Sequence, residues 1–172
     1  MKQMQPLVSV IMGSTSDLPI MQRAAKQLEA LEIPFELLAL SAHRTPDEVA
    51  EFARGAEERG VRVIIAAAGM AAHLCGVIAS MTTLPVIGVP IDASLEGLDA
   101  LLAIVQMPPG IPVATVGVNA AQNAALLAAQ MLALGDPEIA QRVRAQKDSL
   151  KEKIVKANKE LAQISDYKYK TN

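Results

Sequence analysis

The stretch VRVIIAA, residues 61–67, decides the fold of this chain. It is apolar except for Arg62, and it leads into the small residues Ala68 and Gly69. A strand with one solvated face alternates apolar and polar side chains, whereas a strand covered on both faces is apolar along its length. The stretch therefore predicts a buried strand in a parallel sheet that is packed between two layers of helices.

Predicted strands and predicted helices alternate along the chain before and after this stretch. Further strands are predicted at residues 7–12, 35–40, 85–89 and 111–118, and helices at residues 16–31, 45–59, 71–81, 95–105 and 119–134. Ser16 or Asp17 is available to cap the first helix. The order Thr45, Pro46 and Glu48 is typical of a capped helix start. Because no Pro- or Gly-rich linker interrupts the alternation, we expect an α/β fold, a three-layer αβα doubly wound parallel sheet.

The C-terminal segment differs from the rest of the chain in its composition. From residue 137 to about residue 164, Lys and Arg are frequent and apolar residues recur at spacings of three, four and seven, at Ile139, Val143, Leu150, Ile154, Leu161 and Ile164. This narrow stripe predicts a peripheral helix with a solvated basic face, and its lack of aromatics argues against binding nucleic acid or membrane. We therefore predict a single α/β catalytic domain at residues 1–136. A C-terminal helix and tail at residues 137–172 would pack on that domain or on a neighbouring subunit.

The composition excludes several classes of protein. A formal net charge of −2 gives no general field that would attract nucleic acid. Cys75 is the only cysteine, which excludes an intrachain disulfide and a cysteine-rich zinc site. Two histidines with one loose carboxylate make a poor metal site, so no metal is expected. The chain has neither a charged-then-apolar leader nor an apolar run of about 18 residues, and we expect a cytoplasmic protein with no membrane partner.

Loops of small and hydroxyl-bearing residues follow the first three predicted strands, at the edge where ligands bind in such sheets. The first loop, GSTSD at residues 13–17, offers the hydroxyls of Ser14 and Ser16 to phosphate oxygens at a helix N-terminus. Asp17 would suit a ribose hydroxyl, although Ser16 or Asp17 could simply cap the helix. The loop lacks the dinucleotide and nucleoside-triphosphate patterns, so we expect no nucleotide cofactor.

The second loop, SAHRTP, begins at Ser41 and combines a proton carrier with a cation. Arg44 offers a planar, permanently charged fork to a phosphate, and Ser41 adds a donor. His43 can both accept and donate a proton near neutral pH. Alternatively, His43 hydrogen-bonds the backbone and Arg44 pairs with Asp47 or Glu48.

The third loop, AAAGMAAH at residues 66–73, is made of residues small enough for ligand atoms to approach the backbone closely. A histidine at a helix start is more often structural than catalytic, and this alternative remains open for His73. A Cys–His hydrolase using Cys75 is disfavoured, because the sequence shows no third group to orient the pair. The candidate pocket residues of this loop are Ala68, Gly69, Ala71, Ala72, His73 and Leu74.

In this order and at these separations, the three loops resemble the phosphoribosylaminoimidazole carboxylase catalytic-subunit family. The likeness runs from about residue 8 to residue 137 and includes QMP and GIP within residues 106–112 and NAALLAA at residues 123–129. Each short match is weak alone, whereas the full set is highly specific. The resemblance implies a flavodoxin-like fold and an enzyme of purine biosynthesis. Cys75 departs from the family, which commonly has Pro there.

The resemblance also implies what the loops do. The substrate would be a ribonucleotide, no cofactor would be needed, and the protein would be a homo-octamer whose sites neighbouring subunits complete. His43 would carry the proton, and His73 would lie near the base or carboxylate. The ribose phosphate would be held by Ser14, Asp17, Ser41 and Arg44.

The family has two branches, and AAHL at residues 71–74 indicates which one this chain resembles. That branch, an isomerase, moves a carboxylate from the exocyclic nitrogen of an imidazole ribonucleotide to ring carbon C4. The animal-type branch has a different third loop and carboxylates aminoimidazole ribonucleotide directly with carbon dioxide. Direct carboxylation is therefore the alternative activity.

Two non-enzymatic alternatives share the alternation of strands and helices. A receiver-type signalling domain would need an acidic cluster after the first strand and a phosphoacceptor Asp after the third, where this chain has hydroxyl residues and Gly69. A flavodoxin-like electron carrier would stack its flavin on loop aromatics. The aromatic residues lie elsewhere, at Phe35, Phe52, Tyr167 and Tyr169.

Overall fold

Five strands form one sheet in the order β2-β1-β3-β4-β5, with every neighbouring pair parallel. They are β1 Val8–Met12, β2 Phe35–Ala39, β3 Val63–Gly69, β4 Val86–Ile91 and β5 Ala114–Thr115. The computed structural model describes residues 5–172, so residues 1–4 of the predicted first domain lie outside the described residues. The doubly wound parallel sheet is confirmed. Its winding reverses between β1 and β3, the place where such sheets bind ligands.

Helices cover both faces of the sheet. Side chains of consecutive strand residues point to opposite faces, so Val10 and Ile65 enter one core while Ile11 and Ile64 enter the other. The first core is closed by α1 Leu18–Ala30 and α5 Ala121–Ala133, and the second by α2 Pro46–Gly55, α3 Leu74–Ala79 and α4 Leu98–Val105. This confirms the three layers expected from the apolar stretch at residues 61–67.

The C-terminal helix α6, Pro137–Ala162, begins on the first face. Asp136 caps it, since a carboxylate oxygen accepts from the amides of Glu138 at 2.9 Å and Ile139 at 3.1 Å. Ile139 is buried and Val143 packs against the same core, whereas the side chains beyond Ser149 are almost all exposed. The predicted peripheral helix is therefore confirmed. No helix within residues 5–172 is long and apolar enough to cross a membrane.

The last strand is much shorter than predicted. We expected residues 111–118 to be extended, but only Ala114–Thr115 forms a regular ladder with β4. Pro112 has no amide hydrogen to donate, and β5 lies at the sheet edge with one neighbour. The chain nevertheless follows β4, because the amides of Val116 and Asn119 donate to Gly88 and Pro90 at 3.1 and 2.8 Å.

Two helices begin with a tight 3₁₀ turn instead of a regular α-helical turn. Thr15–Asp17 precedes α1, and Leu95–Gly97 precedes α4. The helix predicted at residues 45–59 ends as an α-helix at Gly55, and turns lead from there to Gly60. The predicted helix at residues 71–81 is shortened to α3 because residues 70–73 form the loop that enters the site.

Gly88 sets the distance between β4 and α4. A Cβ at this position would lie 2.3 Å from Cγ2 of Ile104 and 3.1 Å from Cγ1 of Val113. Since Ile104 is fully buried, it has little room to move away. The absence of a side chain at Gly88 therefore lets α4 pack directly on the strand.

We expect Gly88→Ala to lower the free energy of unfolding by about 1–3 kcal/mol, because the added methyl group overpacks this contact. Urea denaturation of the purified variant measures the change. Gly117→Ala is the matched control, since a Cβ there would meet Ala120 at an ordinary 3.8 Å. Equal stability of the two variants would show that Gly88 does not fix the helix position.

Candidate functional site

A pocket of about 450 Å³ opens at the carboxyl ends of the strands. The loops after β1, β2 and β3 form most of its wall, and Ala93 after β4 completes it. The predicted site residues that line it are Ser14, Ser16, Asp17, Ser41, His43, Arg44, Ala68, Gly69, Ala71, His73 and Leu74. The three predicted loops therefore lie together around one pocket.

Ala72 was predicted to line the pocket, but it does not. Its side chain is 1% exposed and belongs to the core beneath α2 and α3. The small residue at this position serves packing, and its neighbours Ala71 and His73 are the ones that face outward. Residues of similar size in one loop thus differ in burial, because the chain turns between them.

Four lining residues were missing from the predicted set: Gly13, Ala42, Met70 and Ala93. The first three lie inside the quoted loops and could have been included on that ground. Ala93 had no motif to mark it. The rule that the carboxyl ends of parallel strands share one edge would have pointed to the residues after β4 as well.

The first loop holds a largely buried carboxyl group, that of Asp17. Ser14 caps the 3₁₀ turn, since its Oγ accepts from the amide of Ser16 at 3.3 Å and from the Ser16 hydroxyl at 2.9 Å. Asp17 is only 9% exposed, and this burial raises its pKa above the ordinary value. Hydrogen bonds from Ser16 and the Ser14 backbone, together with the charge of Arg44, oppose the increase. Asp17 makes no capping bond to α1.

The second loop is tied to the first by Arg44. Its Nη2 donates to the carbonyl oxygen of Gly13 at 2.6 Å, and its Nε donates to Oγ of Ser41 at 3.2 Å. The alternative ion pair with Asp47 or Glu48 does not form in residues 5–172. Arg44 is thus the one permanent cation among the described residues that line the pocket.

Thr45 does not form the predicted capping box with Glu48. Its Oγ1 instead accepts from the amide of Ser41 at 2.9 Å and donates to the Ser41 carbonyl at 3.1 Å. Thr45 therefore closes the loop on itself. This turn places Ser41, His43 and Arg44 on the pocket side.

The two histidines are directly hydrogen-bonded. Nε2 of His43 lies 2.9 Å from Nδ1 of His73, and the rings meet edge to face with centroids 5.0 Å apart. Such a contact needs a proton on one nitrogen and a lone pair on the other. When one ring donates in this hydrogen bond, the other ring must therefore accept. The alternative of a purely backbone-bonded His43 is wrong, and His73 contacts the predicted proton carrier.

At Gly69 the third loop lies close to the residues at the end of β4 and just after it. A Cβ on Gly69 would lie 2.8 Å from Cβ of Ala93 and 3.3 Å from the carbonyl oxygen of Ile91. Met70 follows with φ = 55°, a left-handed conformation that is uncommon for a residue with a side chain. This turn brings His73 back towards His43.

Cys75 takes no part in the site. It is fully buried, and its Sγ donates to the carbonyl oxygen of Ala66 at 3.2 Å. Burial raises the pKa of the thiol to about 12, so the sulfur stays protonated at neutral pH. A Cys–His hydrolase at this position is therefore excluded. Within residues 5–172, no group of three or more His, Cys, Asp or Glu side chains could hold a metal ion.

Known proteins share both this sequence and this fold. A profile of AIR carboxylase matches residues 7–153. An N5-carboxyaminoimidazole ribonucleotide mutase from Pyrococcus horikoshii is 54% identical over 98% of this chain and 96% of its own. A protein of the same name from Pyrococcus abyssi is 58% identical over 85% of this chain and 84% of its own.

A solved structure extends the likeness to three dimensions. A crystal structure of a Treponema denticola PurE2 variant superposes with a TM-score of 0.82 at 30% identity, covering 92% of this chain and 99% of the other. The profile match includes all five strands and the three loops of the pocket. This chain belongs to the AIR carboxylase family.

Proposed function

We propose that this chain is an N5-carboxyaminoimidazole ribonucleotide mutase, an isomerase of purine biosynthesis. It moves the carboxylate from the exocyclic nitrogen of its substrate to ring carbon C4, giving 4-carboxy-5-aminoimidazole ribonucleotide. The curated relatives named above support this activity. The observation that carries it is a single pocket that places the hydrogen-bonded His43 and His73 beside the guanidinium of Arg44.

We propose that the phosphate of the ribonucleotide binds between the first two loops. Arg44 uses two of its five N–H groups for Gly13 and Ser41, which leaves the others for phosphate oxygens. The hydroxyls of Ser14 and Ser41 can donate from either side. Asp17, as an acceptor, suits a ribose hydroxyl deeper in the same pocket.

His43 is proposed as the group that moves the proton. The bond between the carboxylate and the exocyclic nitrogen breaks, carbon dioxide leaves, and the nitrogen receives a proton. Carbon C4 then attacks the trapped carbon dioxide, a carbon–carbon bond forms, and C4 gives up its own proton. One imidazole that first donates and then accepts balances both steps, because the reaction has no net proton change.

His73 is proposed to orient that imidazole. Its Nδ1 fixes one nitrogen of the His43 ring at 2.9 Å, so the pair holds one proton between two rings. For the donating step a neutral His43 needs its proton on the other ring nitrogen, so Nε2 of His43 accepts and Nδ1 of His73 donates in the shared bond. The substrate-facing nitrogen of His43 is then set by the hydrogen bond on the other side of the ring.

Carbon dioxide must be retained until C4 attacks it. The small side chains of Ala68, Ala71 and Ala93 and the backbone of Gly69 provide a close apolar wall for such a gas. In one chain, however, the histidines are exposed and Met70 is 59% exposed at the rim. We therefore propose that neighbouring copies close the site in a cytoplasmic homo-octamer.

Replacing His43 should separate chemistry from binding. We expect His43→Asn to lower turnover by about 10²–10⁴-fold, because the amide can hydrogen-bond but cannot carry a proton. Substrate affinity should remain close to that of the parent protein. Steady-state turnover and equilibrium binding measure the two effects. Near-normal turnover would assign the proton transfer to another group.

Replacing Arg44 should mainly weaken binding. We expect Arg44→Leu to cost about 1.5–3 kcal/mol of ligand affinity, since charge-assisted hydrogen bonds to the phosphate are lost. Arg44→Lys keeps the positive charge but lacks the forked guanidinium, so its ligand affinity should lie between those of the parent protein and Arg44→Leu. Calorimetric titration with substrate in the His43→Asn background avoids turnover. An unchanged affinity in Arg44→Leu would remove Arg44 from the phosphate site.

A substrate test distinguishes the two branches of the family. The protein is offered N5-carboxyaminoimidazole ribonucleotide in one reaction and aminoimidazole ribonucleotide with bicarbonate in the other, both without ATP. We expect efficient use of the first and, at low bicarbonate, none of the second. Comparable rates at low bicarbonate would identify direct carboxylation instead. Formation of the C4-carboxylated product is followed by its absorbance.

A further inference from the structure

Met70 adopts a backbone conformation that its residue type disfavours. Its φ of 55° lies in the left-handed region, where a side chain crowds the backbone and glycine is the usual residue. The chain has glycine at other positive φ values, at Gly60, Gly97 and Gly110. Glycine would satisfy the turn at residue 70 with less strain, so the backbone gives no reason for a methionine there.

Core packing does not explain this methionine either. Met70 is 59% exposed and belongs to neither of the two cores. The nearby Ala72, by contrast, is 1% exposed and packs in the second core. Met70 thus carries backbone strain without the burial that would offset it. Strained residues of this kind cluster at active sites and ligand clamps.

The strain at Met70 coincides with the pocket. Among the described residues that have a side chain and a left-handed backbone, Met70 is the one that lines it. Asn119 has a local reason for the conformation, since Asn tolerates it and its Oδ1 accepts from the amide of Asp92 at 3.0 Å. Glu32 lies in an exposed turn after α1, and residues 95–96 precede α4.

The backbone holds Met70 between the pocket and the solvent. Just before it, a Cβ on Gly69 would lie 2.8 Å from Cβ of Ala93, so this part of the loop is close against its neighbour. Just after it, the chain turns tightly, with the amide of His73 donating to the carbonyl oxygen of Ala71 at 2.8 Å. The side chain of Met70 lines the pocket, is mostly exposed and has three rotatable bonds.

The rest of the apolar wall is short or buried. It consists of Ala42, Ala68, Ala71 and Ala93, which carry one methyl group each, and of Leu74, which is 2% exposed. Among the described lining residues, only Met70 is long, apolar and largely exposed. Its polarizable thioether can therefore fold over a small apolar molecule that the alanines surround from the other sides.

We propose that the side chain of Met70 covers the carbon dioxide formed in the pocket and keeps it there until C4 attacks. The inference rests on the proposed function and assigns a residue to one of its steps. Neighbouring copies would close the site as a whole, and Met70 would hold the gas within it.

The step has two possible outcomes for the substrate. When the bond between the carboxylate and the exocyclic nitrogen breaks, the nitrogen takes a proton and carbon dioxide is formed. If the gas adds to C4, that carbon loses its proton and the C4-carboxylated nucleotide results. If the gas escapes, aminoimidazole ribonucleotide remains. Met70 is proposed to favour the first outcome, because retention keeps the two reactants together and water out.

A single-turnover experiment measures this partition. Excess protein is mixed with N5-carboxyaminoimidazole ribonucleotide in buffer depleted of bicarbonate, and the two nucleotide products are separated by chromatography. Decay in a protein-free sample is subtracted. Met70→Ala keeps the strained backbone but removes the thioether. We expect it to raise the share of aminoimidazole ribonucleotide by about threefold or more, because the gas is no longer covered.

Two further variants separate the side chain from the backbone. Met70→Leu keeps an apolar side chain of similar volume and should partition like the parent protein. Met70→Gly removes the side chain and the strain together. It should release as much aminoimidazole ribonucleotide as Met70→Ala, yet unfold at a temperature no lower than that of the parent protein. Such a result cannot be explained by loss of the fold.

Glu32→Gly is the matched control. Glu32 has a φ of 54°, close to that of Met70, but it does not line the pocket. Its replacement relieves the same kind of strain elsewhere in the chain, so the partition should equal that of the parent protein.

Several results would overturn the proposal. An unchanged partition in Met70→Ala would remove Met70 from gas retention, even if substrate affinity fell. Release from Met70→Gly alone would assign the effect to the backbone, and equal release from Met70→Leu would show that apolar bulk is not what retains the gas. A parent protein that forms no C4-carboxylated product would overturn the proposed function and this inference with it. The other results leave the proposed function intact.

Discussion

Burial of β1 and β3 between two layers of helices is the constraint on which this structure depends. Both strands are apolar on both faces, so helices must cover each side and the connections must cross over the sheet. The one polar side chain in β1 is accommodated without breaking that core. Ser9 donates to a carboxylate oxygen of Glu36 at 2.5 Å, and Arg59 pairs with the same oxygen at 3.3 Å.

In this strand order the pocket spans the carboxyl end of β1. β2 and β3 are not neighbours, because β1 lies between them. The bond between His43 and His73 therefore joins loops across the central strand, and the bond from Arg44 to Gly13 joins the outer loop to the central one. Arg44 and His43 are adjacent in sequence, so these two contacts fix the guanidinium and the imidazole relative to each other.

The predictable features were those set by residues close in sequence. The apolar run of β3 indicated the layers, and the loop compositions indicated most of the residues that line the pocket. What could not be predicted depends on how loops approach each other. The third loop turns through a left-handed conformation at Met70 before it reaches His73, and a Cβ on Gly69 would lie only 2.8 Å from Cβ of Ala93. Thr45 matched a capping pattern, but the backbone of its own loop provided a closer partner.

The buried carboxyl of Asp17 couples the site to the proton activity of the solvent. Its pKa is already raised by burial, and an anionic phosphate brought into the same pocket would raise it further. Occupancy and protonation then become linked equilibria, with a fraction of a proton taken up as the anion arrives. Through this group, binding would strengthen as the pH falls through the pKa of Asp17 and would be independent of pH well above it.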